Sequence, residues 1–376
     1  MSFKSTKTQL VAAKLKSKIL NGEYPSGRFP SIAAIMARFG LARATAVKIR
    51  DEFKRQQLIV GRTGRGTFIT NKALSRKIGL IVPSIIGSEF FPVVVSETAK
   101  VIRENGYTLQ FADFQLCDSP AGLGDEVMAF VDGLIKDKVC GVIFQPLEFQ
   151  PDAAEWNRKV LDRLVKARIP HVLLICDLDA SAARSDCDLV GIDNIRAARR
   201  LAEHLLSAGA RRIEFVTRPN SGPAFMDRQR GIESAVLERG GRFSAFRAEP
   251  DDVMAFRRHL KRGCPDAIVC GSDTQAGIFR KTLETLGFDV PKDILLAGFN
   301  DLQIARITTP PLTTIHQPCR DLARVAFDTL MRRIEHPDRP AVAHLLDGPL
   351  VVRESTQACG GDRISLQKIK GKGKRT

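Results

Sequence analysis

Apolar residues recur at helical spacing in the first part of the chain. Three segments, 8–21, a stretch that begins at Ser31, and 42–57, place apolar residues on one face and basic or polar residues on the other, which is typical of amphipathic helices. Segments 58–60 and 67–69 are short and apolar, and the glycine-rich segment 61–66 joins them, which predicts a β-hairpin. The pattern therefore predicts three helices and a hairpin within residues 1–70.

A short polar linker, residues 71–76, precedes a second pattern, in which brief continuous apolar runs alternate with amphipathic stretches. Such runs are typical of the buried strands of parallel sheets. The predicted strands are 78–82, 108–111, 141–144, 171–175, one near 189, 213–216, 267–270 and 294–297. The predicted helices are 92–105, 120–137, 152–168, 194–208, 224–239 and 274–287. The alternation predicts two doubly wound α/β units in tandem.

Charge is concentrated at the two ends of the chain. The formal net charge is +16, of which residues 1–77 contribute +14 and residues 358–376 contribute +5, whereas residues 78–357 carry −3. A near-neutral body with basic ends is the electrostatic footprint of a protein that binds the phosphate backbone. A basic face alone is more often a solvated surface, so a motif has to support this interpretation. We expect the basic tail, 358–376, to be disordered.

The helix–hairpin segment offers such a motif, because its third helix can enter a major groove and its hairpin can reach phosphates or the minor groove. Ser31 begins the second helix and is also predicted to contact DNA. The predicted DNA-contacting residues are Ser31, Arg43, Thr45, Lys48, Arg62, Gly64, Arg65 and Gly66.

Residues 8–70 resemble the winged helix-turn-helix of the GntR family. The matching stretches are Ile19-Leu20-Asn21-Gly22, Gly27-Arg28-Phe29-Pro30-Ser31, Ala42-Arg43-Ala44-Thr45 and Gly64-Arg65-Gly66-Thr67-Phe68-Ile69. The resemblance implies that Arg43 and Thr45 contact DNA at the start of the recognition helix and that residues 64–66 form the wing tip. The sequence departs from the family at Ile32 and Ala33, where Glu-Arg is usual, at Ala42, usually serine, and at Arg50, usually leucine.

Residues 77–357 resemble the sensor domain of the LacI/GalR family, which is similar to periplasmic sugar-binding proteins. The matching stretches are Val190-Gly191-Ile192-Asp193-Asn194, Arg228-Gln229-Arg230-Gly231, Cys270-Gly271-Ser272-Asp273, Gly298-Phe299-Asn300-Asp301 and Thr309-Pro310-Pro311-Leu312-Thr313-Thr314-Ile315. The resemblance implies two lobes joined by three crossovers, lobe 1 being about 77–190 and 317–340 and lobe 2 about 191–316 and 341–357. It also implies a ligand in the cleft and dimerisation through the sensor. The order of the two parts resembles arabinose-repressor-type regulators.

Candidate effector-binding residues follow predicted strand ends or match this family's ligand positions. They are Phe90, Phe91, Gln145, Asp177, Asp193, Arg228, Asp273 and Asn300. Structural alternatives remain open: core packing for the two phenylalanines, a surface position for Arg228, and a helix cap for Asp193 or Asp273.

The sequence thus predicts a two-lobed periplasmic-binding-protein-like α/β sensor behind a winged helix-turn-helix. It predicts a homodimeric, allosteric repressor that binds a duplex DNA operator and a sugar-like effector. No apolar run approaches the roughly 18 residues of a membrane span, and no signal peptide is evident, so we expect a cytoplasmic protein. No phosphate loop, nucleophile elbow or metal-ligand spacing appears, so we expect no cofactor, no metal and no catalysis. A sugar-binding module without DNA regulation is the alternative, and an enzyme comes third.

Overall fold

The computed structural model describes residues 6–20, 23–24, 27–56, 58–62, 66–69, 76–82, 89–112, 114, 120–179 and 184–357. The predicted tail, 358–376, and most of the predicted linker lie outside the described residues. The N-terminal unit, residues 6–69, consists of α1 (Thr6–Leu20), α2 (Ile32–Phe39), α3 (Arg43–Arg55), β1 (Ile59–Arg62) and β2 (Gly66–Ile69).

The three helices of the N-terminal unit pack around one small core. Leu15 and Ile19 of α1 are buried against Ile49 and Phe53 of α3, as the helical spacing of these residues predicts. The hydroxyl of Ser31 accepts a hydrogen bond from the amide of Ala34 at 3.2 Å and so begins α2. Gly40 ends that helix with a left-handed φ of 59°.

The hairpin is antiparallel and is extended by the segment before α2. The amide of Phe29 donates to the Thr67 carbonyl at 2.9 Å, and the amide of Ile69 donates to the Gly27 carbonyl at 2.8 Å. These bonds tie the hairpin to the helices, so its orientation relative to α3 is fixed. Of the predicted wing tip, 64–66, residues 64 and 65 lie outside the described residues, whereas Gly66 begins β2.

The rest of the described chain forms a two-lobed body, residues 77–357. Lobe 1 contains β3 (Lys77–Ile81), α4 (Phe90–Glu104), β4 (Thr108–Phe111), α5 (Pro120–Lys136), β5 (Gly141–Phe144), α6 (Ala153–Lys166), β6 (His171–Leu174), β7 (Asp188–Ile192), α12 (Cys319–Glu335) and β13 (Ala343–Leu346). Lobe 2 contains α7 (Asn194–Ser207), β8 (Arg212–Thr217), α8 (Pro223–Glu238), β9 (Arg242–Arg247), α9 (Val253–Arg262), β10 (Ala267–Cys270), α10 (Asp273–Thr285), β11 (Leu295–Asn300), α11 (Gln303–Ile307), β12 (Thr313–His316) and β14 (Leu350–Val351).

Each lobe is built on one six-stranded sheet. The order in lobe 1 is β13-β7-β6-β5-β3-β4, and the order in lobe 2 is β14-β12-β11-β10-β8-β9. All pairs are parallel except that between β12 and β14. Helices cover the faces of both sheets, which explains why the central strands are continuous apolar runs. None of the described helices is long and apolar enough to cross a membrane.

The described chain passes between the lobes after β7, after β12 and after β13. The last passage differs from the predicted boundary near residue 340, because β13 pairs with β7 and keeps the chain in lobe 1 as far as Leu346. This strand lies at the edge of the sheet, and its side chains are alternately exposed and half-buried. It therefore lacks the continuous apolar run by which the central strands were predicted.

Candidate functional site

Segments that follow strand ends of both lobes meet between the lobes. The amide of Phe149, after β5, donates to the carbonyl of Asn220, after β8, at 2.8 Å. The ring of Phe149 also packs against Phe225 of lobe 2 with centroids 5.4 Å apart. In open α/β sheets, ligands bind beyond the carboxyl ends of the strands. We use the name cleft for the strand-end residues of the two lobes described in the next four paragraphs.

Arg228 is the central cation of the cleft. It is only 2% exposed, its Nε donates to Asn194 Oδ1 at 2.8 Å, and its Nη1 donates to the Gly271 carbonyl at 2.6 Å. Its guanidinium also lies 4.5 Å from the ring centre of Phe299. Burial lowers the pKa of Arg228 to about 10. The alternative of a surface arginine is therefore wrong.

Lobe 1 places an acidic side chain in the same region. Glu148 is buried, and the thiol of Cys176 donates to its Oε1 at 3.8 Å. Burial raises the pKa of the Glu148 carboxyl to about 7, and the charge of nearby Arg228 opposes that rise. Gln145 donates from Nε2 to Cys176 Sγ at 3.7 Å. Gln145 was predicted as a site residue, but Glu148 and Cys176 were not.

The backbone in front of Cys176 is strained. Ile175 has a φ of 73°, which a β-branched residue rarely adopts, and the amide of Cys176 donates to the Leu174 carbonyl at 3.0 Å across it. Gly191 of the next strand leaves the necessary space, because a Cβ there would lie 2.6 Å from the Ile175 carbonyl oxygen. Strain of this kind is typical of functional sites.

Lobe 2 contributes Asn300 and Asp273. Asn300 has a φ of 115°, and its Oδ1 accepts from Gln317 Nε2 at 2.7 Å. Asp273 accepts from Thr314 Oγ1 at 2.7 Å and from the amide of Leu302 at 3.0 Å, and burial raises its pKa to about 7. Asp273 therefore holds neighbouring strand ends together.

Other predicted effector residues have local structural partners. Phe90 and Phe91 are buried in an apolar cluster that spans both lobes, with ring centroids 5.5 Å apart. Asp193 caps α7 by accepting from the amide of Arg196 at 2.9 Å, as its alternative interpretation predicted. Asp177 accepts from the amides of Leu178 and Ser185 within its own loop.

The residue that caps α10 is not Asp273, which the alternative interpretation had proposed for this role. Ser272 begins that helix, and its hydroxyl accepts from the amide of Gln275 at 3.3 Å, so the cap alternative for Asp273 is wrong.

Three buried glutamines have a side-chain oxygen without a hydrogen-bond partner among the described residues, namely Gln145, Gln275 and Gln317. Gln275 lies against Gly271, where an added Cβ would be 3.1 Å from its Oε1. Gln275 and Gln317 were not predicted. Their only sequence signal is that each follows the end of a strand by one to five positions.

The predicted DNA-contacting residues of the N-terminal unit lie near the start of α3 and on the hairpin. Arg43 and Lys48 are exposed, and Thr45 is half-buried. Arg62 is exposed on β1 and lies 4.8 Å from the ring centre of Phe68. Gly66 has a left-handed φ of 99°, whereas Gly64 and Arg65 lie outside the described residues.

Comparison with known proteins is consistent with this architecture. Residues 202–356 match the family described as periplasmic binding protein-like domain. The chain is 25% identical over 365 residues to the arabinose metabolism transcriptional repressor of Geobacillus stearothermophilus, and the match covers 92% of this chain and 96% of the relative. It is 28% identical to the ribose operon repressor of Halalkalibacterium halodurans, over 77% of this chain and 81% of that protein.

Solved structures share the fold. The complex of the transcriptional regulator CelR with cellobiose superposes with a TM-score of 0.62 at 22% identity and covers 93% of this chain and 99% of that one. A periplasmic binding protein/LacI transcriptional regulator from Alkaliphilus metalliredigens, complexed with D-xylulofuranose, has a TM-score of 0.61 at 21% identity and covers 75% of this chain and 99% of that one. At these identities the likeness shows the two-lobed fold.

Proposed function

We propose that this chain is a ligand-responsive, sequence-specific DNA-binding repressor of carbohydrate-related genes. Its two-lobed body is a LacI/GalR-type periplasmic-binding-protein-like sensor, and transcriptional repressors are among its relatives. The observation that carries the proposal is the pairing of two parts in one chain. One is a basic three-helix unit, and the other is a cleft with a buried arginine and with buried amide oxygens that have no hydrogen-bond partner in the described part of the chain.

The N-terminal unit is proposed to act as a winged helix-turn-helix of the GntR type. Its third helix presents Arg43 and Lys48 to solvent, and its hairpin, which packs against that helix, presents Arg62 to solvent. Arginine and lysine at the start of a recognition helix suit base edges and phosphates of the major groove. Ser31 caps α2, so its proposed DNA contact would be made by the remaining hydrogen-bonding capacity of its hydroxyl.

The cleft is proposed to bind a small compound rich in hydroxyl groups. Arg228 supplies donors, and the unpartnered oxygens of Gln145, Gln275 and Gln317 supply acceptors. Hydroxyl groups both donate and accept, so a polyol suits a site that offers both donors and acceptors.

We also propose that the protein works as a homodimer whose two N-terminal units bind the half-sites of a near-palindrome. A single helix-turn-helix reads few base pairs, and two-fold pairing matches two-fold operator symmetry. Sedimentation of the protein with and without DNA measures this state, and a monomer in both conditions contradicts it.

The DNA-binding proposal is tested with duplexes from the region upstream of the protein's own gene. Arg43→Ala should weaken specific binding by roughly 1–3 kcal/mol and relax the preference at one base pair. Lys48→Ala, if Lys48 contacts phosphate, should weaken all duplexes about equally and reduce the dependence of log K on log salt. Lys281→Ala removes an exposed lysine of α10 and is the matched control.

Two results of this experiment contradict the proposal. One is an affinity for duplex DNA that does not change with salt. The other is the absence of DNA binding together with sugar binding, which would instead favour a sugar-binding module without DNA regulation.

A further inference from the structure

An acidic corner of lobe 1 contacts the N-terminal unit. We use this name for Glu335, the last residue of α12, and Asp338 in the turn that follows. Lys16 of α1 places its Nζ 2.9 Å from Glu335 Oε1, and Arg55 of α3 pairs with Asp338. The side chain of Lys16 is 15% exposed, so this lysine is largely covered by the contact and its surroundings.

The contact is complementary in charge. Arg55 bonds to Glu52 of its own helix as well as to Asp338, and Lys16 also donates to Gln56 at 3.4 Å. These groups therefore form one network that reaches from α1 and α3 to the corner. The N-terminal region carries a net charge of +14, so an acidic patch is the kind of surface that attracts it.

The acidic corner is fixed rigidly to lobe 1. Arg333 donates to both carboxylate oxygens of Asp188, at 2.8 and 2.9 Å, and to the carbonyls of Pro337, Arg339 and Pro340. The side chain of Asp188 is fully buried at the start of β7. Because Arg333 and Arg339 are both bound to Asp188, they do not neutralise Glu335 and Asp338.

The two elements beneath the corner both run into passages between the lobes. β7 leads to Asn194, which accepts from Arg228 at 2.8 Å. α12 begins next to Gln317, which donates to Asn300 at 2.7 Å, and its 17 residues span about 25 Å. A movement of the lobes about these passages therefore moves the surface on which the N-terminal unit rests.

The docked unit keeps its predicted DNA-contacting end exposed. Arg55 lies at the end of α3 and Arg43 at its start, about 18 Å away at 1.5 Å per residue. Arg43 and Lys48 remain exposed while Lys16 and Arg55 contact the corner. Docking and DNA binding therefore use different parts of the same unit.

We propose that the acidic corner is the docking surface for the N-terminal unit, and that it transmits the lobe arrangement to DNA affinity by fixing the orientation of that unit. The transmission part rests on the function proposed above, whereas the docking part does not. Exposed ion pairs contribute little individually and are screened by salt, so docking is reversible and weakens as ionic strength rises.

Charge exchange in the full-length chain tests docking. Glu335→Lys and Lys16→Glu each place like charges together, and we expect each variant to have a radius of gyration larger by a few ångströms in small-angle scattering at low salt. The double variant Lys16→Glu/Glu335→Lys restores the pair and should recover the wild-type radius. The matched controls are Asp328→Lys, exposed on α12, and Lys14→Glu, exposed on α1.

The outcomes are distinct. Expansion in both single variants, recovery in the double variant and wild-type radii in the controls support docking. No expansion in Glu335→Lys relative to Asp328→Lys, or no recovery in the double variant, overturns the proposal, and far-UV circular dichroism confirms that each variant is folded.

The transmission part is tested by measuring the affinity of the protein for upstream duplex with and without a sugar. The probes are L-arabinose, D-ribose and cellobiose. We expect the sugar-dependent change in affinity to fall to about twofold or less in Glu335→Lys and to persist in Asp328→Lys. An unchanged sugar response in Glu335→Lys overturns transmission. A wild-type chain that does not bind DNA contradicts the proposed function while the scattering result still decides docking.

Discussion

At the residue scale, the cleft is defined by ionisable side chains that have little access to solvent. Glu148 and Asp273 each have a pKa of about 7 because burial disfavours their charged forms, and Arg228 lies among them as the counter-charge. Asp273 accepts from Thr314 Oγ1 and from the amide of Leu302, whereas among the described residues the partner found for Glu148 is the thiol of Cys176 at 3.8 Å. Glu148 is therefore the less satisfied carboxyl, and its ionisation should affect stability.

The first prediction concerns that ionisation. The carboxyl of Glu148 has a pKa near 4.5 when exposed and about 7 in the folded chain, so between these values the folded chain retains a proton that the unfolded chain has released. The free energy of unfolding therefore falls as pH rises through this window. Glu148→Gln removes the ionisable group and with it this fall in the free energy of unfolding. The stability of this variant relative to wild type should rise by roughly 2–3 kcal/mol between pH 4.5 and pH 7.5.

Urea denaturation at several pH values measures this difference. The matched control is Glu155→Gln, the same substitution at an exposed glutamate. Asp273 titrates in the same window but is present in all three proteins, so its contribution cancels. A stability difference for Glu148→Gln that is independent of pH would show that folding does not raise the pKa of Glu148.

The sequence could indicate some of the cleft residues but not their full set. Gln145, Arg228 and Asn300 were proposed from strand ends and from the resemblance, and each lies buried where strands of the two lobes end. Asp177 and Asp193 have the same sequence signal but accept backbone hydrogen bonds locally, because a short carboxylate after a strand serves equally well as a cap. Glu148 comes close to Arg228 only through the packing of two lobes, which periodicity does not encode.

At the element scale, most inner strands could be predicted because helices cover both faces of each sheet, although β12, an inner strand of lobe 2, was missed. The predicted strands 141–144 and 267–270 agree with β5 and β10, which lie inside their sheets, and 108–111 agrees with the edge strand β4. The edge strands β9 and β13 were missed, because their exposed residues replace the continuous apolar run. α12 was missed too. It begins at Cys319 directly after a passage between the lobes and has no side-chain cap, so its start lacks a common sequence signal.

The second prediction compares two glycines of α5. A Cβ at Gly133 meets no atom within 4 Å, whereas a Cβ at Gly124 would lie 2.0 Å from the Trp156 ring of α6. Gly133→Ala should therefore stabilise the protein by about 0.5–1 kcal/mol, because alanine restricts the unfolded chain and favours the helix. Gly124→Ala should destabilise it, since the gain in helix propensity is smaller than the roughly 1–3 kcal/mol that overpacking costs.

Thermal unfolding of the two variants checks this pair, and each serves as the control for the other because the substitution and the helix are the same. Equal shifts of both midpoints would contradict the close packing of α5 on α6 at Gly124.

At the scale of the whole molecule, positive charge is segregated from ligand chemistry. The N-terminal region carries a net charge of +14, and the body is near neutral apart from local clusters such as the acidic corner. The charge distribution and the two periodicities could be predicted from sequence. The contact between the unit and lobe 1 could not, because Lys16 and Glu335 are far apart in sequence and ordinary for exposed helices.

The last prediction links the cleft to DNA. A ligand that touches both lobes shifts the equilibrium between lobe arrangements only by its differential contacts with them, and coupling of this kind usually changes affinity about 5–150-fold. We expect a small ligand rich in hydroxyl groups, found with a panel of sugars, to change the affinity for upstream duplex within this range. Arg228→Ala should abolish both sugar binding and the change in DNA affinity, because it removes the buried donors next to Asn194 and Gly271.

Arg230→Ala is the control, since Arg230 is exposed and pairs with Asp227. Calorimetric titration and fluorescence anisotropy measure the two effects separately. Sugar binding that survives Arg228→Ala unchanged would place the effector outside this cleft, and sugar binding without any change in DNA affinity would refute the switch.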